Sequence, residues 1–315
     1  MAPPTASDPP PPPAVRGTLA PETVERVAAL ELRVREAVEG LLSGMHRSPH
    51  RGASVVFVEH REYRPGDDPR LLDWRVFART DRHGIKRFEQ ETQLEATLLL
   101  DRSASMRWAG LDPASRRGAA KDLHAMVLLG ALAHLLHRQG DAVGFLGFDV
   151  EPHDDALPPR RRPAHLEALQ AALFTDRPAH PETNLAAGIA ALAERRAPRG
   201  VVVLASDLLD ERPDALAPLA RLRARGHQVL VLQVLHPDEL DLGAARGAAR
   251  VHGLEGETPI DADLDTVREA YGREVQAFLD RSRRRCLAAG ARHLLARTDE
   301  APETTLARAL LRGGH

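Results

Sequence analysis

Apolar residues along the chain recur with two different periods. Over 21–44 they return every three or four residues, which predicts an amphipathic helix that begins after a proline and ends before a glycine. Three later stretches, 94–100, 200–205 and 228–235, are short and almost continuously apolar, which is typical of strands buried on both faces of a sheet. Between them the helical period returns. This alternation predicts an α/β fold built on a doubly wound, mostly parallel sheet.

The remaining elements follow from the same patterns. Helices are predicted over 114–138, 164–174, 184–196, 263–289 and 304–311. Further strands are predicted over 141–148, over 150–157 at an edge of the sheet, and over 291–296. A stretch rich in Gly, Asp and Pro near 237–262 interrupts the alternation. We expect it to form an insertion with a small hairpin around 251–258.

Composition divides the chain into three parts. Residues 1–21 are dense in proline and are predicted to form a disordered tail, because such a segment cannot build a core. Residues 22–93 combine the first helix with a small β-rich module that contains ten Arg or Lys residues and eight acids after residue 44. Strands are predicted there over 54–59 and 85–89. The module is too short for a large core of its own, so we expect it to dock on a 94–315 domain.

Polar side chains follow two of the buried strands at the point where each strand ends. Asp101, Ser103 and Ser105 form a D-x-S-x-S pattern after the first apolar run. Asp207 follows the second run, and Thr183 immediately precedes a predicted helix, where it is a candidate cap or ligand. Open α/β sheets bind ligands at the carboxyl ends of their strands, and oxygen donors suit a hard cation. The pattern predicts a Mg²⁺ site, with Mn²⁺ or Ca²⁺ as alternatives, although a polar turn after a strand would look similar.

Two functions fit such a cluster. In the first, neutral hydroxyl ligands leave the cation with positive charge and an open position, which can accept a carboxylate from a partner protein. In the second, the protein is a Mg²⁺-dependent phosphohydrolase with Asp101 as the nucleophile. That chemistry needs a second acid nearby, but Ser103 occupies the position two residues on, and the sequence predicts no lysine near a strand end. The sequence therefore favours a binding module that is not an enzyme.

The overall composition restricts the function further. The 315 residues are 43% hydrophobic and 28% charged, as in a soluble globular protein. A net charge of −2 provides no basic field for nucleic acid or for an anionic membrane. No apolar run approaches the ~18 residues of a membrane span. Cys286 is the single cysteine, so no internal disulfide can form, and we expect a cytoplasmic protein.

Several motifs together resemble two known families. The D-x-S-x-S pattern, Thr183 before a helix and Asp207 after the next buried strand are similar to the metal-ion-dependent adhesion site of von Willebrand factor A domains. Four further strings resemble the bacterial family catalogued as domain of unknown function 58, namely YRPGDD at 63–68, DWR at 73–75, KRFE at 86–89 and HPDE at 236–239.

The resemblance implies a von Willebrand factor A-like fold and a function without catalysis. By similarity, the metal site consists of Asp101, Ser103, Ser105, Thr183 and Asp207. The three hydroxyls would bind the cation directly, while the two acids would orient coordinated waters. Asn184 stands where the family often has an acid. The family typically works with MoxR-type AAA+ ATPases in chaperone-like assembly or maturation of protein complexes, so the resemblance implies a partner of that kind.

Overall fold

The almost continuously apolar runs form the middle of one parallel sheet. The computed structural model describes residues 60–62, 84–86, 94–111, 118–195, 199–243, 245–251 and 259–311. Its strands are β1 His60–Glu62, β2 Gly84–Lys86, β3 Glu95–Asp101, β4 Ala142–Phe148, β5 Leu157–Arg160, β6 Gly200–Ser206, β7 Gln228–Leu235, β8 Ala248–Val251, β9 Ile260–Asp263 and β10 Arg292–Arg297. Its α-helices are α1 Lys121–Arg138, α2 Pro163–Phe174, α3 Leu185–Ala193, α4 Ala217–Ala224, α5 Pro237–Asp241, α6 Leu264–Ala288 and α7 Pro302–Leu311.

The main sheet of the described residues has the strand order β10-β7-β6-β3-β4-β5. β3 lies in the middle and pairs in parallel with both β4 and β6. β7 and β10 continue the parallel arrangement, while β5 runs antiparallel at the opposite edge. Renumbered along the chain, this is the order 3-2-1-4-5-6 of doubly wound folds. The predicted fold class, an α/β fold on a doubly wound, mostly parallel sheet, is confirmed.

Two hydrophobic layers cover the faces of this sheet. Successive side chains of a strand point to opposite faces, so Leu98 and Leu100 pack in the layer that contains α1 and α2, while Leu99 packs in the other. All three leucines are fully buried. Burying such a side chain contributes about 1.5–3 kcal/mol. The strand is therefore fixed in register from both faces, and its last residue is held at a defined position.

The connections reverse the strand order in the middle of the sheet, at the carboxyl ends of β3 and β6. The chain runs from β3 through β4 to β5 and then crosses to β6, on the other side of β3. In open α/β sheets, ligands bind at such a reversal of strand order, beyond the carboxyl ends of the strands. Asp101 ends β3 and Ser206 ends β6. The polar residues after these two strands therefore meet at the reversal.

Several predicted elements need correction. The edge strand predicted over 150–157 is wrong: β5 lies at Leu157–Arg160, and only an isolated bridge joins Phe148 to Pro152 before it. The first long helix begins at Lys121 rather than at 114, because the backbone of Ala120 is extended, with ψ 142°. The helices α4 and α5 have no counterpart among the predictions. Both are short, and α4 lacks a strong apolar stripe.

The described parts outside the main sheet form two small antiparallel pairs. β1 pairs with β2 in the N-terminal module, and β2 overlaps the strand predicted over 85–89. β8 pairs with β9 between α5 and α6, in the stretch predicted to be an insertion. The predicted tail at 1–21, the helix over 21–44 and the strand over 54–59 lie outside the described residues. None of the helices in the described ranges has the length and apolarity that a membrane crossing requires.

Candidate metal centre

Asp101, the last residue of β3, lies at the centre of a buried polar cluster. Its Oδ1 accepts a hydrogen bond of 3.0 Å from the Ser103 backbone N–H. Its Oδ2 accepts hydrogen bonds from the hydroxyls of Ser206, at 2.6 Å, and Thr183, at 3.3 Å. One fully buried carboxylate therefore joins the turn after β3, the loop before α3 and the end of β6.

The turn after β3 presents the two serines of the D-x-S-x-S pattern. Ser103 precedes a short 3₁₀ helix and Ser105 lies within it, and their Oγ atoms are 3.1 Å apart. Both residues are fully buried. The Ala104 N–H donates to the His180 carbonyl at 2.9 Å, which fixes the turn against the loop that leads to α3. Two hydroxyl oxygens are thus held side by side beyond the strand end.

Thr183 reaches the cluster because the start of α3 is anchored by several hydrogen bonds. Asn184 caps this helix by accepting a 3.0 Å hydrogen bond from the Ala187 N–H. Its own N–H donates to the Asp149 carbonyl at 2.7 Å. The Arg212 guanidinium donates to the Thr183 carbonyl at 2.6 Å. Asn184 therefore caps α3, at the position where the family that the sequence motifs resemble often has an acid.

The helix α3 also packs very close to the end of β4. A Cβ atom on Gly188 would lie 2.4 Å from the ring of Phe148, which is fully buried. Real Cβ atoms do not approach another atom this closely, so the glycine permits the contact. The close approach brings the start of α3, and Thr183 with it, to the edge of the sheet.

Asp207 follows β6 and belongs to the same buried cluster. Its Oδ1 accepts a 3.1 Å hydrogen bond from the Leu209 N–H, and its Oδ2 accepts one of 2.8 Å from the Lys121 ammonium. Leu208, between them, has a left-handed backbone with φ 63°. A residue with a Cβ atom adopts this conformation at a cost on the order of 1–3 kcal/mol, so the surrounding packing must hold the turn in place.

Lys121, at the start of α1, corrects one premise of the sequence argument. The sequence predicts no lysine near a strand end, yet this ammonium lies 2.8 Å from Asp207 and 2.6 Å from the Oε1 of Glu239. The side chains of Lys121 and Asp207 have no exposed surface. Glu239 Oε2 accepts a 2.7 Å hydrogen bond from the His236 N–H, within the capping box that begins α5. An ion pair thus joins the HPDE motif to the cluster.

Burial and charge shift the pKa values of this cluster. Burial and the nearby Asp207 carboxylate raise the pKa of Asp101 from 3.8 to about 6, although hydrogen bonds from Ser206 and Ser103 act to lower it. Burial also raises the pKa of Glu239, despite the opposing attraction of Lys121. Burial acts to lower the pKa of Lys121, but Asp207 and Glu239 outweigh it and the pKa is raised. With every group ionised, three carboxylates and one ammonium leave the cluster at a net charge of −2.

The donor set suits a hard divalent cation. The described residues contain no group of three or more His, Cys, Asp or Glu side chains arranged to hold a metal ion. The candidate centre instead depends on the hydroxyls of Ser103, Ser105 and Thr183, supported by two acids. Hydroxyl, carboxylate and water oxygens are the ligands that Mg²⁺, Mn²⁺ and Ca²⁺ accept, and the surplus charge equals that of one such ion with opposite sign. The residues present therefore fit a divalent cation.

The structure brings the five residues predicted from the sequence to one place. Asp101, Ser103, Ser105 and Thr183 are joined by hydrogen bonds, and the charge of Asp207 acts on Asp101. The sequence argument assigned no role to Ser206, Lys121 or Glu239. One signal for Lys121 was available, because it and Lys86 are the only lysines among 43 basic residues.

Comparison with known proteins assigns the family. Residues 59–280 match the family described as Protein of unknown function DUF58. The chain belongs to this family. The uncharacterized proteins Rv1480 of Mycobacterium tuberculosis and Mb1516 of Mycobacterium bovis are each 31% identical to this DUF58 protein over 224 residues, which is 70% of this chain and 68% of theirs. The resemblance to domain of unknown function 58 that the sequence motifs indicate is thereby confirmed.

Three solved structures give weaker likenesses to this DUF58 protein. BatB from Bacteroides thetaiotaomicron is 17% identical with a TM-score of 0.40, covering 68% of this chain and 98% of its own. An aerotolerance-related membrane protein from Bacteroides fragilis is 18% identical with a TM-score of 0.42, covering 68% and 97%. The SpRpn10 VWA domain is 10% identical with a TM-score of 0.38, covering 71% and 98%. These scores are low, so the fold class rests on the strand order and connections given above.

Proposed function

We propose that this DUF58 protein is a metal-dependent protein-binding module without catalytic activity of its own. Its partner would be a MoxR-type AAA+ ATPase, or a client of that ATPase, in chaperone-like assembly or maturation of protein complexes. The observation that carries the proposal is a hydrogen-bonded cluster at the reversal of strand order, in which Ser103 and Thr183 from two segments bond the buried Asp101 and Ser105 lies beside Ser103.

Docking is favoured over hydrolysis by the state of Asp101. A nucleophilic carboxylate must reach the reacting phosphorus atom, so it needs access to the substrate. Both oxygens of Asp101 already accept hydrogen bonds, and the side chain is fully buried. The Lys121 ammonium is also occupied, by Asp207 and Glu239, so it is not available to stabilise a phosphate. Asp101 and Lys121 are thus each engaged by other residues of the cluster.

The site residues would divide the work of holding a cation. Ser103, Ser105 and Thr183 would provide neutral oxygen ligands, while Asp101 and Asp207 would orient the hydroxyls and coordinated waters. Mg²⁺ is the proposed cation, with Mn²⁺ or Ca²⁺ as alternatives. When bound, it supplies positive charge that attracts a carboxylate from an Asp or Glu of the partner. With neutral hydroxyls as direct ligands, the carboxylate of the partner would be the first anionic group to coordinate the cation, which favours a protein contact.

The proposal includes the setting in which the contact occurs. A single cysteine, buried and unpaired with another cysteine, is consistent with a reducing compartment, and we place the protein in the cytoplasm. The net charge of −2 gives no support to nucleic acid as the partner.

The direct test is association with a purified MoxR-type AAA+ ATPase. Calorimetric titration in Mg²⁺ should show binding that is lost in EDTA. Asp101→Ala and Asp207→Ala should each weaken metal affinity roughly ten- to a hundredfold, because loss of an outer-shell partner has an effect of this size. The association with the ATPase should weaken together with the metal affinity. Binding that survives both EDTA and Asp101→Ala would remove the metal centre as the docking point.

A phosphatase assay tests the absence of catalysis. With p-nitrophenyl phosphate and Mg²⁺, we expect no turnover above the buffer rate. Turnover by the wild-type protein that disappears in Asp101→Asn would support the phosphohydrolase instead.

A further inference from the structure

The ammonium of Lys121 occupies the position of an internal counter-ion beside the candidate metal centre. It contacts Asp207 at 2.8 Å and Glu239 at 2.6 Å, and none of its side chain is exposed. Asp207 follows β6 and Glu239 lies in α5, so both carboxylates are distant in the sequence from Lys121 at the start of α1. The lysine and its two carboxylate partners depend on one another, because removing either kind of charge would leave the other buried and uncompensated.

We propose that Lys121 is a tethered cation that competes with the divalent metal for Asp207, and that Lys121 and Glu239 together set how tightly the site binds metal. This inference rests on the proposed function, since it concerns the same site. It makes Lys121 a positioning residue rather than a ligand. Its role is to lower the negative charge that an incoming cation meets.

The charge of the cluster gives the direction of the effect. Asp101, Asp207 and Glu239 with Lys121 leave a net charge of −2, so one divalent ion neutralises the ionised cluster. Removing only the ammonium would change the net charge to −3 and should strengthen the attraction for a cation. Removing only the Glu239 charge would change it to −1 and should weaken the attraction. Buried charges are poorly screened, so these changes reach the site at nearly full strength.

Fixed geometry prevents the ammonium from simply moving away. Glu239 is held at both of its ends: its Oε2 accepts from the His236 N–H at 2.7 Å, and its carbonyl accepts from the Tyr271 hydroxyl at 2.7 Å. Asp207 is held by the Leu209 N–H. The two carboxylates are therefore anchored by groups other than the ammonium that lies between them.

The choice of lysine over arginine supports the same role. Nearly all basic residues of the chain are arginine, but this buried position is lysine. An ammonium is a compact point charge, like a metal ion, whereas a guanidinium is a broad planar fork with five donors. The Lys121 ammonium meets the Oδ2 of Asp207 at 2.8 Å as a single compact charge, and neither side chain is exposed.

Calorimetric titration of Mg²⁺ into four full-length proteins tests the proposal. The set is wild type, Lys121→Met, Glu239→Gln and the double variant Lys121→Met/Glu239→Gln, whose cluster charges are −2, −3, −1 and −2. We expect Lys121→Met to bind Mg²⁺ about ten- to a hundredfold more tightly than wild type, the scale of an outer-shell effect. Glu239→Gln should bind more weakly by a similar factor, and the double variant should return close to wild type.

Folding is followed by circular dichroism, because Lys121→Met leaves two buried carboxylates without their partner. If that single variant does not fold, the comparison of Glu239→Gln with the double variant decides, since it removes the same ammonium from a less charged cluster. In that pair the loss of Lys121 must again tighten Mg²⁺ binding. Equal or weaker binding after the loss of Lys121, in either pair that folds, overturns the proposal.

The outcomes separate this inference from the proposed function. If wild type binds Mg²⁺ and the loss of Lys121 does not tighten binding, the inference fails while the metal-dependent function stands. If wild type does not bind Mg²⁺ but Lys121→Met or the double variant does, the tethered cation replaces the metal, and the metal-dependent function fails instead. If none of the four proteins binds Mg²⁺, both fail.

Discussion

Replacing Asp101 with asparagine should change how the stability of the metal-free protein depends on pH. Burial and the Asp207 charge raise the pKa of Asp101 from 3.8 to about 6 in the folded state. The folded protein therefore keeps this proton over a range in which the unfolded chain has lost it. The resulting stability is fully present below about pH 4 and is lost as the pH rises through 6. The difference between the pKa of Asp101 in the folded protein and its ordinary value corresponds to about 3 kcal/mol in the free energy of unfolding.

The variant should escape this loss because an amide has no proton to release. Asparagine keeps the shape of the side chain, and its altered hydrogen bonds to Ser206 and Thr183 change stability by an amount that does not depend on pH. Urea denaturation in EDTA, repeated from pH 4 to pH 8, measures the free energy of unfolding of both proteins. The difference between Asp101→Asn and wild type should shift by about 3 kcal/mol in favour of the variant across this range.

A second carboxylate provides a control with the opposite sign. Burial acts to raise the pKa of Asp210, but hydrogen bonds from Arg212 outweigh it and the pKa is lowered. Its ionised form stabilises the fold, and this contribution is lost as the pH falls. Asp210→Asn should therefore lose stability relative to wild type as the pH rises. A difference between Asp101→Asn and wild type that is the same at every pH would refute the electrostatic account of the cluster.

The remaining predictions concern packing, thiol chemistry and the N-terminal module. Gly188→Ala should lower the free energy of unfolding by about 1–3 kcal/mol, because the added Cβ overpacks against Phe148. Gly272→Ala has open space around the added Cβ and should raise the free energy of unfolding by about 0.5–1 kcal/mol. Urea denaturation measures both variants. Burial raises the pKa of Cys286 to about 12. At neutral pH, iodoacetamide should therefore modify this thiol at least about a thousandfold more slowly in the folded protein than in the urea-unfolded chain. Comparable rates would contradict the burial of Cys286. A 94–315 fragment should melt below the full chain in calorimetry, and equal melting temperatures would contradict docking of the 22–93 segment.

The central sheet was predictable because its strands are buried on both faces. Such strands must be apolar at every position, and 94–100, 200–205 and 228–235 show this directly. The edge strand was not predictable in the same way. β5 has the sequence LPPR with alternating half-buried and exposed residues, and its two prolines are tolerated only because an edge strand leaves some N–H positions unpaired.

The candidate site divides in a similar way between local and long-range information. Asp101, Ser103 and Ser105 lie within five residues at the end of a strand, so the pattern itself placed them at the carboxyl end of the sheet. Lys121 and Glu239 are 118 residues apart, and the connections of the fold alone bring their charges to 2.6 Å. Nothing in either local sequence indicates this contact. Only the unusual choice of lysine in an arginine-rich chain marked the position.

The most direct measurement of the central claim is the effect of Mg²⁺ on the melting temperature. A cation bound only by the folded state adds about 2.7 kcal/mol at a concentration of a hundred times its Kd, which corresponds to a shift of roughly 5–10 °C for a domain of this size. We predict this shift, relative to EDTA, for wild type and for Ser282→Ala, a buried serine on α6 away from the site. Ser103→Ala/Ser105→Ala should show little or no shift. No shift in wild type, or an equal shift in the Ser103→Ala/Ser105→Ala variant, would contradict a metal centre at these hydroxyls.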